Sequence, residues 1–291
     1  MNSSAAFVLI LVSALIHPFW NILLKASRDK VIFYFNIHLF FTVFFSFILF
    51  IYPITSLDGV AWFLVLLSSI AHFFYQLFLC KAYKVGDLSV TYPIVRSAPL
   101  FVAAMGFFFL GEKPSLIAVF GIALTVIGAQ MINQKELSLR HFINSWRYSE
   151  KRIILAAVLT AMFSAMYSVI DKKGVLKVEP VLFFYLFFAF SGAMFGIYLF
   201  FSKKRRHIYR DYTNRDKYKI TLAAVLEFSS YLLILYAFRV INVAHVVAIR
   251  QISVVFGAIL GIFILKERYG MIRILASFVV CLGIYFLVAY K

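Results

Sequence analysis

The sequence predicts an all-α integral membrane protein, with ten transmembrane helices arranged as two inverted five-helix repeats. Three observations predict it. First, 64% of the 291 residues are hydrophobic and 14% charged, with a mean hydropathy of +0.93. A soluble domain carries roughly half apolar and about a quarter charged residues. Second, the apolar runs are long enough to span a bilayer and too uniformly apolar for barrel strands, so the backbone must close its hydrogen bonds as helices. Third, Ala82–Glu112 and Ala237–Glu267 align without a gap at an offset of 155 residues. Matches include Ile94 with Ile249, Phe101 with Phe256, Gly106 with Gly261 and Glu112 with Glu267, and the register continues to Gly128 and Gly283. A chain of two similar membrane halves is the plan of many secondary transporters.

Spans are expected at 5–24, 32–53, 60–80, 88–110, 115–133, 153–171, 181–201, 218–237, 243–265 and 270–290. Pro18 interrupts the first span and Pro53 ends the second. Pro93 and Pro99 interrupt the fourth, each removing an amide from the helical ladder. Such breaks are tolerated at membrane depth where protein or a cavity covers the backbone, and an ordinary packing kink is the competing reading. Pro114 and Pro180 suit the first turns of the fifth and seventh spans. Ala103 and Gly106, Gly121 and Gly128, and Gly257-x-x-x-Gly261 mark close helix contacts. The basic segment 134–152 divides the chain into a first repeat at 1–133 and a second at 153–291. Five spans is an odd number, so the second repeat enters the membrane the opposite way round.

The 35 Phe suit a lipid-facing surface. The net charge of +17 does not imply nucleic acid, because the basic residues sit between apolar runs, where membrane charge asymmetry explains them. Most of the 29 Lys and Arg lie in or beside the connections between spans 1–2, 3–4, 5–6, 7–8 and 9–10. By the positive-inside rule both termini lie outside the cytosol. Cys80 and Cys281 have no metal spacing and imply no disulfide framework. Met1–Leu24 lacks a basic n-region and is expected to be a span, not a cleaved signal peptide.

Five plus five spans, with a Pro-bearing fourth helix running into Gly111-Glu112-Lys113 and an equivalent Lys266-Glu267-Arg268, resemble the EamA family of the drug/metabolite transporter superfamily. The resemblance covers essentially the whole chain and implies the fold more than the substrate, since the family exports or exchanges amino acids, metabolites and drugs. It implies a multi-pass protein of the cell (inner) membrane. The first helix departs from the family's common Trp-Gly opening. It reads His17-Pro18-Phe19-Trp20-Asn21, followed by Lys25, and looks like a His-x-x-Trp-Asn subgroup, some members of which are associated with phosphonate-utilisation genes. Tyr167-Ser168 and Lys172 repeat the spacing of Trp20-Asn21 and Lys25. The resemblance implies cytosolic termini, against the charge count.

An ionisable group at the bilayer centre costs about 2.5–3.5 kcal/mol on insertion scales, so each one needs a partner or a task. Arg96, Glu227 and Arg250 are the candidates. Arg96 and Arg250 fall one residue from equivalence, which places two guanidiniums at similar depth facing one cavity. Such a pair recognises a carboxylate, phosphonate or phosphate through paired N–H donors. A locked Glu227–Arg250 ion pair and snorkelling to an interface are the structural alternatives. A desolvated Glu227 is also a candidate carrier of a coupling proton. His17, Trp20, Asn21, Tyr75, Gln76, Tyr92, Tyr231 and Gln251 are expected to line the substrate cavity. His17, His38, His72 and His245 have no metal-ligand spacing, so interior hydrogen bonding is the better reading, and no cofactor or metal is expected. Glu112 and Glu267 are read as carboxylates favoured at the N-termini of spans 5 and 10. Lys25 and Lys172 are read as anchors at span ends, with gating as the other possibility.

The leading function is secondary transport of a small organic solute, an amino acid or metabolite and especially an anion such as a phosphonate, by alternating access. A lipid-linked substrate flippase and a membrane-embedded enzyme are the alternatives, and a non-transporting scaffold is a third class. An enzyme would need an acid cluster, a metal constellation or a nucleophile with a base, and only 12 acids exist. Substrate identity, direction, and monomer against homodimer are not written in the sequence. Following the charge count, a reporter active only outside the cytosol is expected to be active when fused after Lys291, and activity of a cytosolic reporter there would reverse the orientation.

Overall fold

The chain folds as a bundle of helices whose ends are set by local capping. The computed structural model describes residues 2–85, 94–132, 151–202, 214–265 and 271–289. In chain order the helices are α1 Ser3–Lys25, α2 Lys30–Phe44, α3 Ile48–Ile51, α4 Gly59–Val85, α5 Ala98–Leu110, α6 Leu116–Met131, α7 Lys151–Lys177, α8 Pro180–Phe200, α9 Asn214–Phe238, α10 Val243–Ile249, α11 Ile252–Leu265 and α12 Met271–Ala289. Among the described residues, α1, α4, α7, α8, α9 and α12 are long and apolar enough to cross a membrane. Shorter apolar helices at Lys30–Phe44, Ile94–Leu110, Leu116–Met131 and Val243–Ile259 overlap the expected second, fourth, fifth and ninth spans.

Side-chain oxygens start the helices by accepting from orphan amides. Asn2 accepts from Ala5, Asp29 from Val31 and Ile32, Asp58 from Ala61 and Ser115 from Ala118. The Ala61 amide, more than neighbouring Lys177, holds the exposed Asp58 carboxyl below its ordinary range. Gly111 ends α5 in the left-handed region at φ 67, and the Glu112 amide reaches back to the Gly106 carbonyl. A side chain at Gly111 would strain this left-handed closure.

The prolines require three corrections. Pro18 does not interrupt the first span: α1 runs unbroken from Ser3 to Lys25 with Pro18 buried inside it. A proline removes one ladder bond, and tertiary contacts hold the rest of the helix together. Pro114 precedes the Ser115 cap of α6 and is not in its first turn. In the fourth span the ladder breaks at Ser97, and Pro99 occupies the first turn of α5. Pro93 lies outside the described residues. Pro180 is the first residue of α8, as the sequence indicated.

Packing relates the two halves by a pseudo-twofold exchange. Helices α6 and α12, equivalent under the 155-residue offset, form one of the two most extensive contacts among the described residues. A methyl group added to Gly121 would lie 2.8 Å from the Gly283 carbonyl oxygen, and one added to Gly128 would lie 2.8 Å from that of Ala276. Gly121 corresponds to Ala276 and Gly128 to Gly283, so the first contact maps onto the second when the repeats are exchanged. Likewise the approach of Gly283 to Thr125 maps onto that of Gly128 to Val280. Residue numbers rise on α6 as they fall on α12, so the equivalent helices run antiparallel, consistent with inverted repeats. The α4–α7 and α1–α9 interfaces form a second exchange-related pair. In the latter, Ser13 Oγ donates to the Ser230 carbonyl at 2.7 Å and Ser230 Oγ donates to the Ser13 carbonyl at 3.1 Å.

The phenylalanines divide between two environments. Phe50 and Phe201 are exposed, as an apolar surface facing lipid requires. Phe41, Phe183, Phe184, Phe187 and Phe195 are fully buried, so the lipid-facing reading of the Phe content holds for only part of it. Core packing predicts that Gly283→Ala loses about 1–3 kcal/mol, because its methyl would meet close-packed backbone. Gly59→Ala, with nothing within 4 Å, is expected to leave stability unchanged or improved. Thermal unfolding in one detergent checks both.

Candidate functional site

Two helix breaks at adjacent positions in the register of the two repeats build the site. In the first repeat the ladder opens at Ser97, next to Arg96. In the second it opens at Arg250 and Gln251, between α10 and α11. Gln251 is the equivalent of Arg96, and the two residues touch. Arg96 Nη1 donates to Gln251 Oε1 at 3.2 Å, and Gln251 Nε2 donates to the Arg96 carbonyl at 2.9 Å. A contact between equivalent residues lies on the pseudo-twofold axis. The opened backbone supplies an acceptor there that an intact helix would not.

A cavity of about 130 Å³ surrounds this contact. From α1 it takes His17, Trp20 and Asn21, and from α4 Tyr75 and Gln76. Glu227 and Tyr231 enter from α9, and Arg96, Arg250 and Gln251 from the breaks. Tyr92 lies outside the described residues. The rest of the wall includes residues that sequence reasoning did not select for the site, among them His72, Tyr167, Phe184 and Phe187.

Arg250 turns away from the dyad toward α1. Its Nη2 lies 3.1 Å from His17 Nδ1, which Trp20 Nε1–H also approaches at 3.2 Å. Two donors converging on Nδ1 leave it the acceptor, so His17 is neutral with its proton on Nε2. Asn21 Nδ2 donates to the His17 carbonyl at 2.9 Å. The Arg250 guanidinium also lies 5.4 Å from the Tyr231 ring centre, a cation–π contact. The one-residue offset from Arg96 therefore matters: the exact mate of Arg96 is Gln251, and Arg250 has a different set of partners.

No ion pair joins Glu227 to Arg250 among the described residues, so the expected structural alternative is absent. Glu227 Oε2, Gln76 Oε1 and Arg250 Nε are buried without a hydrogen-bond partner. Acceptors and a charged donor thus remain unused around one cavity, complementary to a ligand carrying both signs of charge.

Sequence reasoning missed Asp171. The span was expected to end there, before Lys172 and Lys173, but α7 continues to Lys177 and buries Asp171 completely. It accepts from Ser68 Oγ at 2.5 Å, His72 Nε2 at 2.9 Å and Tyr231 OH at 2.5 Å. The available signal was its position four residues after Tyr167, on the same helix face. Of the other histidines, His38 bonds the Tyr34 carbonyl at 2.7 Å and stacks on Phe188.

Glu112 and Lys172 also differ from expectation. Glu112 does not serve span 5, which Ser115 caps. Its Oε1 accepts from the Val243 amide at 2.9 Å, so a carboxylate of the first repeat caps α10 of the second. Partial burial raises the Glu112 carboxyl above its ordinary range, and the Val243 amide partly offsets this. Lys172 is not a lipid-surface anchor: Nζ donates to the carbonyls of Phe238 and Ile241, closing the end of α9. Lys25 is exposed at the end of α1. Glu267 lies outside the described residues.

Two stretches of the chain, residues 4–134 and 151–289, match the EamA-like transporter family. The chain belongs to that family. It is therefore a multi-pass membrane transporter of the drug/metabolite transporter superfamily, built of two EamA repeats. Among solved structures, the crystal structure of a protein superposes on it with a TM-score of 0.75 at 11% identity, covering 99% of this chain and 97% of that one. Identity that low shows the shared fold alone. No match was found among curated proteins.

The EamA repeats thus exchange a cap at Glu112. Glu112→Ala is expected to cost about 1 kcal/mol of stability, as loss of a helix cap does. Glu112→Gln, which keeps an acceptor, should retain most of it. Thermal unfolding of both variants distinguishes a cap from a charge requirement.

Proposed function

We propose that this protein is a secondary active transporter of a small organic anion or zwitterion, working by alternating access between its two repeats. In this reading ten helices cross the membrane, α2 with α3 and α10 with α11 each completing one span. The repeats occupy 1–133 and 153–291, joined by the linker 134–152, and the membrane is the cell (inner) membrane. The observation that carries the reading is the cavity at two helix breaks in adjacent register, bordered by Arg96, Arg250 and Glu227. Broken helices at the repeat interface are where transporters of this general plan place substrate sites.

The charges assign roles. Arg250 Nε and its neighbour Arg96 receive an anionic group, a carboxylate or phosphonate, for which a guanidinium fork is well shaped. Glu227, with one oxygen unused, receives an ammonium group. Trp20, Tyr75 and Tyr231 supply apolar and aromatic wall, with Asn21, Gln76 and Gln251 as neutral polar contacts. A phosphonate substrate follows from the same chemistry and from the His17-x-x-Trp20-Asn21 opening, and a coupling proton completes the cycle.

Counterflow in proteoliposomes with labelled amino acids, phosphonates and phosphorylated metabolites tests this. Arg250→Gln removes a charged hydrogen bond worth about 1.5 kcal/mol or more, so KM for the best substrate should rise about tenfold or more. Arg96→Gln should act in the same direction. Unchanged anion transport in both variants rejects the paired-guanidinium site, and failure of the whole panel to exchange rejects small-solute transport.

A further inference from the structure

Beside the substrate cavity lies a second ionisable cluster that the charge roles above do not use. Asp171 on α7 is fully buried, and its two oxygens accept from Ser68 and His72 on α4 and from Tyr231 on α9. His72 is held face to face between Tyr167 at 4.0 Å and Phe187 at 4.3 Å, and it also borders the cavity. The pair therefore joins the first repeat to the second and has one member on the substrate path. Asp171 itself is withdrawn behind it.

We infer that His72 and Asp171 bind the coupling proton, with His72 as the group that gains and loses it. This rests on the transport reading given above and assigns the proton to a pair other than Glu227. The charges favour it. With a neutral imidazole the cluster carries one negative charge in a desolvated site, held only by neutral donors. Protonation forms a new N–H bond at Nδ1 of His72, and the product is an imidazolium paired with a carboxylate already in hydrogen-bond contact. Burial penalises a lone charge far more than a neutral, bonded pair. Release reverses the step, returning one proton to water. Glu227, by contrast, has a buried oxygen without a hydrogen-bond partner, which the transport reading assigns to the substrate.

The surroundings set the coupling. His38 faces His72 from α2. Tyr167 from α7 stacks on His72 and meets Tyr75 of α4 edge-on, while Phe187 from α8 carries no charge. Tyr231 meets both members of the pair from α9, and Glu227 and Arg250 line the same cavity as His72. Tyr231 is shared: its hydroxyl donates to Asp171 while its ring receives Arg250. A protonated pair removes one negative charge from the neighbourhood of Arg250 and so favours an anion there. Proton and anion binding therefore reinforce each other, and substrate KM falls as the pH falls.

Two measurements test this. In nanodiscs, the His72 signal of ¹⁵N-histidine-labelled protein, assigned by its loss in His72→Gln, is expected to change with pH in the absence of any solute. Asp171→Asn should move its midpoint toward acid by at least tenfold in proton concentration. A His72 that stays neutral until the wild-type protein unfolds, or a midpoint indifferent to Asp171→Asn, overturns the inference whatever the protein transports. In proteoliposomes, using the panel member with the fastest counterflow, His72→Gln and Asp171→Asn should lower the ratio of pH-gradient-driven uptake to counterflow by tenfold or more. Tyr231→Phe, which keeps the ring and loses the donor, should weaken the pH dependence of KM. Loss of the driven fraction in Glu227→Gln but not in His72→Gln would also overturn it. Absence of counterflow in the wild type would sink the transport reading alone, because the histidine titration stands independently.

Discussion

A polar group carried into the hydrocarbon of a membrane must find its partners within the chain, and the interior of this protein is arranged around that constraint. Asp171 collects three donors from two helices, and Lys172 finds the carbonyls at the end of α9. Glu112 finds the amide that starts α10. Each of these contacts joins elements far apart in sequence, and Asp171 and Glu112 join the two repeats. The polar groups therefore fix which helices are neighbours, while apolar packing, which lipid offers equally well, does not discriminate as strongly. The constraint is relaxed at Glu227, Gln76 and Arg250, which carry unpartnered buried atoms and line the cavity.

The pseudo-twofold relation explains why the relaxation falls there. Equivalent helices meet at α6 and α12 through glycine, backbone against backbone. The same exchange brings Arg96 against Gln251, and both residues sit where their helices open. The second break has no proline. Its backbone opens at the position adjacent in register to the first, and the Arg96 carbonyl beside one break accepts from the Gln251 side chain at the other. The two breaks are thus tied together by the paired contacts of Arg96 and Gln251.

Much of this was legible in the sequence. The ungapped offset gives the equivalence of Gly128 with Gly283 and of Arg96 with Gln251, and composition gives the helices. Polar residues at the middle of apolar runs, such as His17, Gln76 and Glu227, stand out, and they share one cavity. What escaped was hidden by local context. Asp171 precedes two lysines and reads as a span end, although the helix continues for six residues beyond it. The break at Arg250 carries no proline to announce it. The partner of Glu112 is 131 residues away, and no local pattern encodes a cap supplied by another repeat. Pro18, conversely, announces a break that the packed interior suppresses.

The two kinds of contact between the repeats differ in how easily they yield. The glycine crossing of α6 and α12 brings backbone atoms as close as packing allows, and sliding it would drive side chains into carbonyls. The polar contacts are individually weak: a hydrogen bond to a charged group contributes about 1.5–3 kcal/mol net, and its loss is small when water or a ligand replaces the partner. A transport cycle of the kind proposed would therefore keep the α6–α12 crossing as its fixed point and exchange partners around Arg96, Gln251 and Asp171. The ligand and the proton would then act at the contacts that must change, since a bound species shifts an equilibrium only by the difference in its affinity for the two states. An anion competing for Arg250, and a proton altering the charge that Tyr231 shares with it, supply that difference at adjacent points of one hydrogen-bonded chain.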